Sequence, residues 1–315
     1  MRITVHGLVG AELSRKSGTL YVQAVEEWLS RRDTGDLNVE VELHINHYSG
    51  RKARSSARRI LLLIEPTVTW PRNRLYREED YDQIFAAGPM RCAEYLGWFH
   101  EPLKVAPTVT EAEFRNRESK FTIIAANKMS FVEGELYSLR RQVVLNHPLE
   151  IDLYGFDWNN SLGNRLRTLT GEFLHTARAK QPIFLDGSRR FLRDVTNYVG
   201  MAQEKVTPYS SNKFALVIEN SLELRTEKLY DAVEAGAIPV YVGPKVPEDV
   251  PKDLFVHADA SIKGIIEGMR QVREINPTYW LRVRGEWMKT PGYLRSSKER
   301  FFLFLDDLVS GVETK

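Results

Sequence analysis

The chain has 315 residues, a hydrophobic fraction of 43%, a charged fraction of 27% and a formal net charge of +2. That length predicts two domains of ordinary size, and the composition excludes disordered and fibrous classes. The charge is too mild for a nucleic-acid binder, and the single cysteine, Cys92, excludes an intrachain disulfide and a cysteine-held metal cluster.

The first six residues read as a strand, with Ile3 and Val5 apolar, rather than as a leader. The strand ends in His6 and runs into Gly7-Leu8-Val9-Gly10, and a helix follows with Leu20, Ala24, Trp28 and Leu29 on one face. Over 38–45, Val39, Val41, Leu43 and Ile45 alternate with Glu40, Glu42 and His44, which predicts a strand with one wet face. The continuous apolar run 60–64 reads as a buried strand and is far too short to span a bilayer. A weaker strand falls at 81–87. The stretch 108–120 turns polar and charged and reads as a domain linker. Strands then recur at 121–125, 150–154, 214–218 and 238–242, with helices at 132–145, 164–179, 227–235, 261–273 and 278–289. The last segment, 297–309, is amphipathic through Phe301, Phe302, Leu305 and Leu308. It either crosses back to the first domain or covers a sheet edge. Strands alternating with helices predict an α/β fold with mostly parallel sheets. Domains are expected at 1–118 and 119–296, with 297–315 as a C-terminal helix.

Residues 213–244 carry the chemistry. Phe214 to Ile218 form a buried strand, and Glu219-Asn220-Ser221 sit at its carboxyl end, where open α/β sheets place their ligands. Thr226 is a helix cap, Glu227 and Lys228 fall in the first turn, and Gly236 ends the helix. Ile238-Pro239-Val240 then re-enters the sheet through a right-handed crossover. Free N–H groups at a helix start, together with the charge of Lys228, suit a diphosphate. The Glu227 carboxylate suits the vicinal hydroxyls of a ribose. The alternative is that both are solvated first-turn charges.

This stretch resembles the donor-binding motif of the α1,3-fucosyltransferase family, family 10 of the glycosyltransferases, as in a divergent bacterial-type member. The matching residues are Glu219-Asn220-Ser221, Thr226-Glu227-Lys228, the small-residue turn Ala235-Gly236-Ala237, Ile238-Pro239-Val240 and Gly243-Pro244, continued by Val250-Pro251 and Phe255-Val256-His257. The resemblance implies a GT-B fold, two Rossmann-like domains facing a cleft, with the acceptor bound by the first and the donor by the second. It implies inverting transfer of fucose from GDP-fucose to a glycan hydroxyl, with no cofactor. It also implies a glutamate base after a buried first-domain strand, which here is Glu65. The donor contacts it implies are Asn127, Glu219, Asn220, Ser221, Thr226, Glu227 and Lys228. Trp70 and Arg72 offer a weaker acceptor wall. Glu133 stands where the family carries a diphosphate-binding arginine, so Lys128, Arg140, Arg141 or Arg225 would have to supply that charge. A different nucleotide-sugar donor therefore stays open.

Asp80-Tyr81-Asp82 spells the Asp-x-Asp metal motif of GT-A transferases, but it lies in a strand-like run ahead of the donor segment and reads as structural. Tyr154-Gly155 ends a strand and reads as packing. Arg51, Lys52, Arg54, Arg58 and Arg59 form a basic cluster, read as a solvated loop. The rival readings are a non-catalytic sugar- or nucleotide-binding protein of the same fold and a metal-dependent GT-A enzyme. Expected partners are a sugar nucleotide and an oligosaccharide or glycan acceptor, with no nucleic acid. The expected location is the cytoplasm, with peripheral contact at the inner membrane surface at most.

Overall fold

Strands as uniformly apolar as 60–64 need cover on both faces, and the chain supplies it by alternating strands with helices. The computed structural model describes residues 2–6, 16–31, 40–47, 57–86, 94–95, 107–185, 188–291, 293 and 298–313. In chain order its elements are β1 (Arg2–His6), α1 (Lys16–Ser30), β2 (Glu40–Ile45), β3 (Arg58–Leu63), β4 (Gln83–Ala86), β5 (Glu94–Tyr95), α2 (Glu111–Asn116), β6 (Glu118–Ile124), α3 (Tyr137–Asn146), β7 (Ile151–Tyr154) and α4 (Leu162–Arg178). There follow α5 (Ser188–Phe191), β8 (Tyr198–Gly200), α6 (Val206–Ser211), β9 (Asn212–Ile218), α7 (Lys228–Glu234), β10 (Ile238–Val242), β11 (Val256–His257), α8 (Ile262–Gln271), α9 (Pro277–Trp287) and α10 (Lys298–Glu313). The chain divides into two units, one made of Met1–Glu101 with Leu294–Lys315, the other of Pro102–Tyr293.

The first unit holds a parallel sheet ordered β1-β2-β3-β4-β5. Its core joins Val41, Leu43, Ile45, Ile60 and Leu62 to Ala24, Val25 and Trp28 of α1 and to Phe301, Phe302 and Leu305 of α10. Two polar ties fix α10: Trp28 Nε1 donates to Asp306 Oδ1 at 2.8 Å, and Arg58 Nη1 donates to the Leu308 carbonyl at 3.0 Å. Arg58 therefore serves helix packing rather than a solvated basic loop. The expected wet face of β2 is largely covered. Glu42 and His44 are half-buried, and the Tyr81 ring lies 5.4 Å from that of His44, because a strand inside a parallel sheet is shielded on both sides.

The supposed linker at 108–120 is structured. Thr110 and Glu113 form a capping box that starts α2, and Phe114 is buried 6.4 Å from the Trp280 ring. Its polar residues are the outer face of a short helix, and β6 begins at Glu118. The helix expected from 132 starts only at Tyr137. Residues before it pair instead with the loop after β9, through a bridge between Glu135 and Ser221 and the bond from Leu136 N to the Asn220 carbonyl at 2.9 Å.

The second unit is a parallel sheet ordered β11-β10-β9-β6-β7-β8. The chain runs outward from β6 through β7 to β8, returns to β9 on the other side of β6, and continues outward to β11. The strand order thus reverses between β6 and β9, and the crevice outside their carboxyl ends is the topological switch point of an α/β sheet. Beside it, the backbone of Gly155 after β7 adopts a φ of +132°, and a Cβ there would stand 2.0 Å from the Ala125 carbonyl oxygen. Gly155→Ala combines a left-handed strain with a backbone clash, and is expected to cost on the order of 3 kcal/mol. A urea denaturation midpoint unchanged from the parent would contradict this.

Candidate functional site

β9 delivers Glu219 to the switch point with its side chain wholly buried. An unpaired carboxylate there would be very costly, and this one has three donors. They are Thr226 N at 2.9 Å, Thr226 Oγ1 at 2.7 Å and Lys228 Nζ at 3.3 Å. Lys228 Nζ also donates to Thr226 Oγ1 at 2.8 Å, so the hydroxyl relays between the lysine and the acid. The Lys228 side chain keeps 17% of its surface exposed. The helix starts one residue later than the sequence suggests. Glu227 precedes α7 and Thr226 Oγ1 accepts from Lys228 N at 3.5 Å. Because α7 has only 7 residues, charge at its start comes mainly from side chains rather than from a long dipole.

The loop between Asn220 and α7 is tied down on both sides. Arg225 is buried and donates to the Lys245 carbonyl at 2.8 Å, joining this loop to the one after β10. Ser221 Oγ accepts from Glu223 N at 3.1 Å. Glu227 is paired with Lys205 at 2.9 Å. Burial opposes the Glu227 charge, but Lys205 and Lys228 outweigh it and hold its pKa well below the usual carboxylate range.

On the β6 side, Asn127 is buried. Its Nδ2 donates to the Asp157 carbonyl at 3.0 Å, and its Oδ1 accepts from Arg141. Arg141 also donates to the carbonyls of Arg190 and Arg193 and lies 5.2 Å above the Trp158 ring. Burial pulls its pKa down to about 10. Arg140 donates to the carbonyls of Ile218 at 2.5 Å and Glu219 at 3.1 Å, and reaches Asn220 Oδ1 at 3.5 Å. Both arginines are buried and spent on backbone carbonyls and side chains of the fold. One braces the end of β9 and the other braces Asn127. Adjacent helix positions point about 100° apart, so a pair beside apolar Val143 and Val144 straddles the edge of the buried face. Lys128 and Glu133 are exposed.

In the first unit, Glu65 follows β3 on a backbone held by two buried asparagines. Asn46, at a φ of +59°, accepts through Oδ1 from Ile64 N at 3.1 Å, Glu65 N at 3.0 Å and Asn73 Nδ2 at 3.1 Å. Asn73 Nδ2 also donates to the Glu65 carbonyl at 2.6 Å, and its Oδ1 accepts from His47 N at 2.8 Å. Trp70 donates through Nε1 to the His47 carbonyl at 2.9 Å, and Arg72 lies half-buried in the 3-10 turn that follows. Neither asparagine nor His47 stood out in the sequence. His47 is buried with Nδ1 3.1 Å from the Tyr81 hydroxyl, and burial lowers its pKa against the opposing pull of Asp80. Asp82 accepts from Arg59 N at 2.6 Å, and Asp80 pairs with Arg77 at 3.3 Å. Among the described residues, no group of three His, Cys, Asp or Glu side chains could hold a metal. The side chain of His6, the turn 7–10, the basic residues Arg51, Lys52 and Arg54, and the boundary at 296–297 lie outside the described residues.

No family model matches this sequence, and no curated protein sequence matches it. The fold does have counterparts among solved structures. A crystal structure of α1,3-fucosyltransferase with GDP aligns with a TM-score of 0.50 and 13% identity over 98% of this chain and 89% of that one. Anabaena HepE in complex with UDP and glucose gives 0.50 and 8% over 98% of this chain and 91% of that one. A glycosyltransferase from Rickettsia africae gives 0.51 and 8% over 99% of this chain and 98% of that one. The fold is GT-B. Two α/β units with parallel sheets are what the alternation of strands and helices predicts, and GT-B is what the resemblance of 213–244 implies. In this GT-B chain, no described helix is long and apolar enough to cross a membrane.

Proposed function

We propose that the chain is an inverting glycosyltransferase that moves a sugar from a nucleoside diphosphate to a glycan hydroxyl, with GDP-fucose as the favoured donor. The observation that carries this is the Glu219–Thr226–Lys228 cluster at the carboxyl end of β9, beside the reversal of strand order. A leaving diphosphate gathers negative charge as the bond to the sugar breaks. A lysine already fixed on a buried carboxylate and a threonine meets that charge without reorganising. Glu227 takes the ribose hydroxyls, and Asn127, Lys128, Asn220, Ser221 and Arg225 complete the polar surround, Arg225 by fixing the loop. The second unit is then the donor domain and the first the acceptor domain.

In the first unit Glu65 takes the proton of the acceptor hydroxyl. The acceptor oxygen forms a bond to the anomeric carbon as the bond from that carbon to the diphosphate breaks, and the pair of electrons leaves with the phosphate. The chain itself uses no cofactor for this displacement. Trp70 and Arg72 stand within a few residues of Glu65 and are assigned to the acceptor. The resemblance of 213–244 favours fucose, and the aligned structures carry GDP in one case and UDP with glucose in another. Exposed Glu133 at the family's arginine position favours a second reading, the same fold and chemistry with another nucleotide sugar. The assigned location is the cytoplasm, at most peripheral to the inner membrane surface.

A screen of GDP-, UDP-, CMP- and dTDP-sugars by thermal shift and donor hydrolysis tests the proposal. GDP-fucose at a hundred times its Kd is expected to add roughly 2.7 kcal/mol of stability, seen as a rise in Tm, and Lys228→Met to abolish it. A response to another donor alone moves the assignment to the second reading. No response to any of them rejects both.

A further inference from the structure

Lys205 lies outside the donor motif in sequence and inside it in space. It directly precedes α6, and the Glu204 carboxylate fixes that turn by accepting from Val206 N and Thr207 N at 2.8 Å each. α6 and α7 run side by side. Ser210 Oγ reaches the Ala235 carbonyl at 3.5 Å toward their far ends, and Lys205 meets α7 at the near end. There Lys205 Nζ donates to Glu227 Oε1 at 2.9 Å and to Asp231 Oδ2. Glu227 and Asp231 are one helical turn apart, joined by the bond from Asp231 N to the Glu227 carbonyl at 2.9 Å, so a single ammonium bridges both carboxylates. One oxygen of Glu227 is thereby committed. No side chain among the described residues donates to the other, Oε2, and the side chain is 28% exposed.

We propose that Lys205 is a positioning residue for the nucleotide: it clamps Glu227 through Oε1 and so presents Oε2, fixed and open, to the ribose hydroxyls of the donor. This rests on the reading of Glu227 given above. Two features separate the clamp from a plain helix pin. A glutamate has three rotatable side-chain bonds, and holding one carboxylate oxygen removes that freedom before a ligand arrives. The cluster also sets Lys205 and Lys228 against the carboxylates of Glu219, Glu227 and Asp231. Without Lys205 an incoming diphosphate would meet the same three acids with one of these two lysines gone. The groups facing Glu227 are Lys205 just ahead of α6, Tyr209 of α6, Lys228 and Asp231 of α7, and its own backbone N–H. With Lys205 present Glu227 keeps its charge well below the usual carboxylate range. With Lys205 removed, burial would push the Glu227 carboxyl up from that range, so its contribution to binding would be lost at a higher pH than in the parent.

The test compares GDP with 2′-deoxy-GDP by titration calorimetry at pH 7.5 and at pH 5.5. UDP and 2′-deoxy-UDP are run in parallel. The parent is expected to prefer the ribonucleotide by about tenfold or more at both pH values, the scale of one hydrogen bond to a charged group. Lys205→Met should bring that ratio toward one, further at pH 5.5 than at pH 7.5, and Lys205→Arg should restore it. If Lys205→Met does not fold, Lys205→Gln combined with Asp231→Asn removes the clamp and one acid together, and should likewise lose the preference. An unchanged ratio in a folded clamp variant overturns the proposal. So does an equal loss of affinity for both nucleotides that Lys205→Arg fails to repair, since that is the mark of a structural pin. A parent that binds none of the nucleotides overturns the functional reading itself.

Discussion

Glu219→Leu is expected to cost roughly 3–5 kcal/mol of folding stability, the scale for breaking a buried charged pair by removing one partner. The carboxylate is fully buried and accepts from Thr226 N, Thr226 Oγ1 and Lys228 Nζ. Leucine fills most of the volume and accepts nothing, so a backbone N–H and a hydroxyl lose their acceptor and a lysine loses its counter-charge together. The backbone around it leaves little room for repair. A Cβ on Gly243 would stand 2.6 Å from Glu219 Cγ, which shows how tightly the end of β10 presses on this side chain. Glu219→Gln keeps an acceptor for Thr226 and is expected to cost about 1–2 kcal/mol, the scale of weakening a hydrogen bond to a charged group. Urea denaturation of both variants checks the order. Equal midpoints for the leucine and glutamine variants would mean that the carboxylate does not anchor the loop. The functional consequence follows from the same geometry. Lys228 gains its fixed position from Glu219 and Thr226, so loss of the acid should also weaken nucleotide binding in whatever fraction remains folded.

The strands that carry the site were legible because buried parallel strands are continuous apolar runs. Residues 60–64, 121–125, 214–218 and 238–242 all fall on or overlap observed strands. The loop after β9 stood out as a candidate site because a strand end, a threonine and a lysine occur within a few residues of one another. What escaped was whatever depends on long-range partners. Nothing local marks Lys205 as a neighbour of Glu227, 22 positions away, since the meeting follows from α6 and α7 lying side by side. Arg140 and Arg141 gave no sign of their bracing role because their partners are largely backbone carbonyls, which carry no sequence signature. The role of Asn46 was hidden likewise, since two of its partners are backbone N–H groups and the third is 27 positions away. The stretch 108–120 misled in the opposite direction: charged residues on the outer face of α2 masked the single buried Phe114 that anchors it.

Glu65→Gln is expected to lower kcat for glycosyl transfer by about 10²–10⁴-fold, the range for removing a general base, while leaving donor KM nearly unchanged. The substitution is informative because the network around it uses the backbone of Glu65. Asn46 accepts from the Glu65 N–H and Asn73 donates to the Glu65 carbonyl, so both bonds survive when the side chain becomes an amide of the same shape. A fall in Tm would therefore point to an unrelated packing role, and an unchanged Tm with lost turnover would isolate the proton acceptor. The variant also separates the transferase from a binding protein of the same fold, in which Glu65→Gln would alter nothing measurable. If turnover stays within a few-fold of the parent, the base lies elsewhere. If transfer falls and donor binding persists, Glu65 acts on the acceptor hydroxyl. A carboxylate whose backbone is held by two buried asparagines is suited to that task, because that backbone need not move as the charge changes from anion to acid during the step.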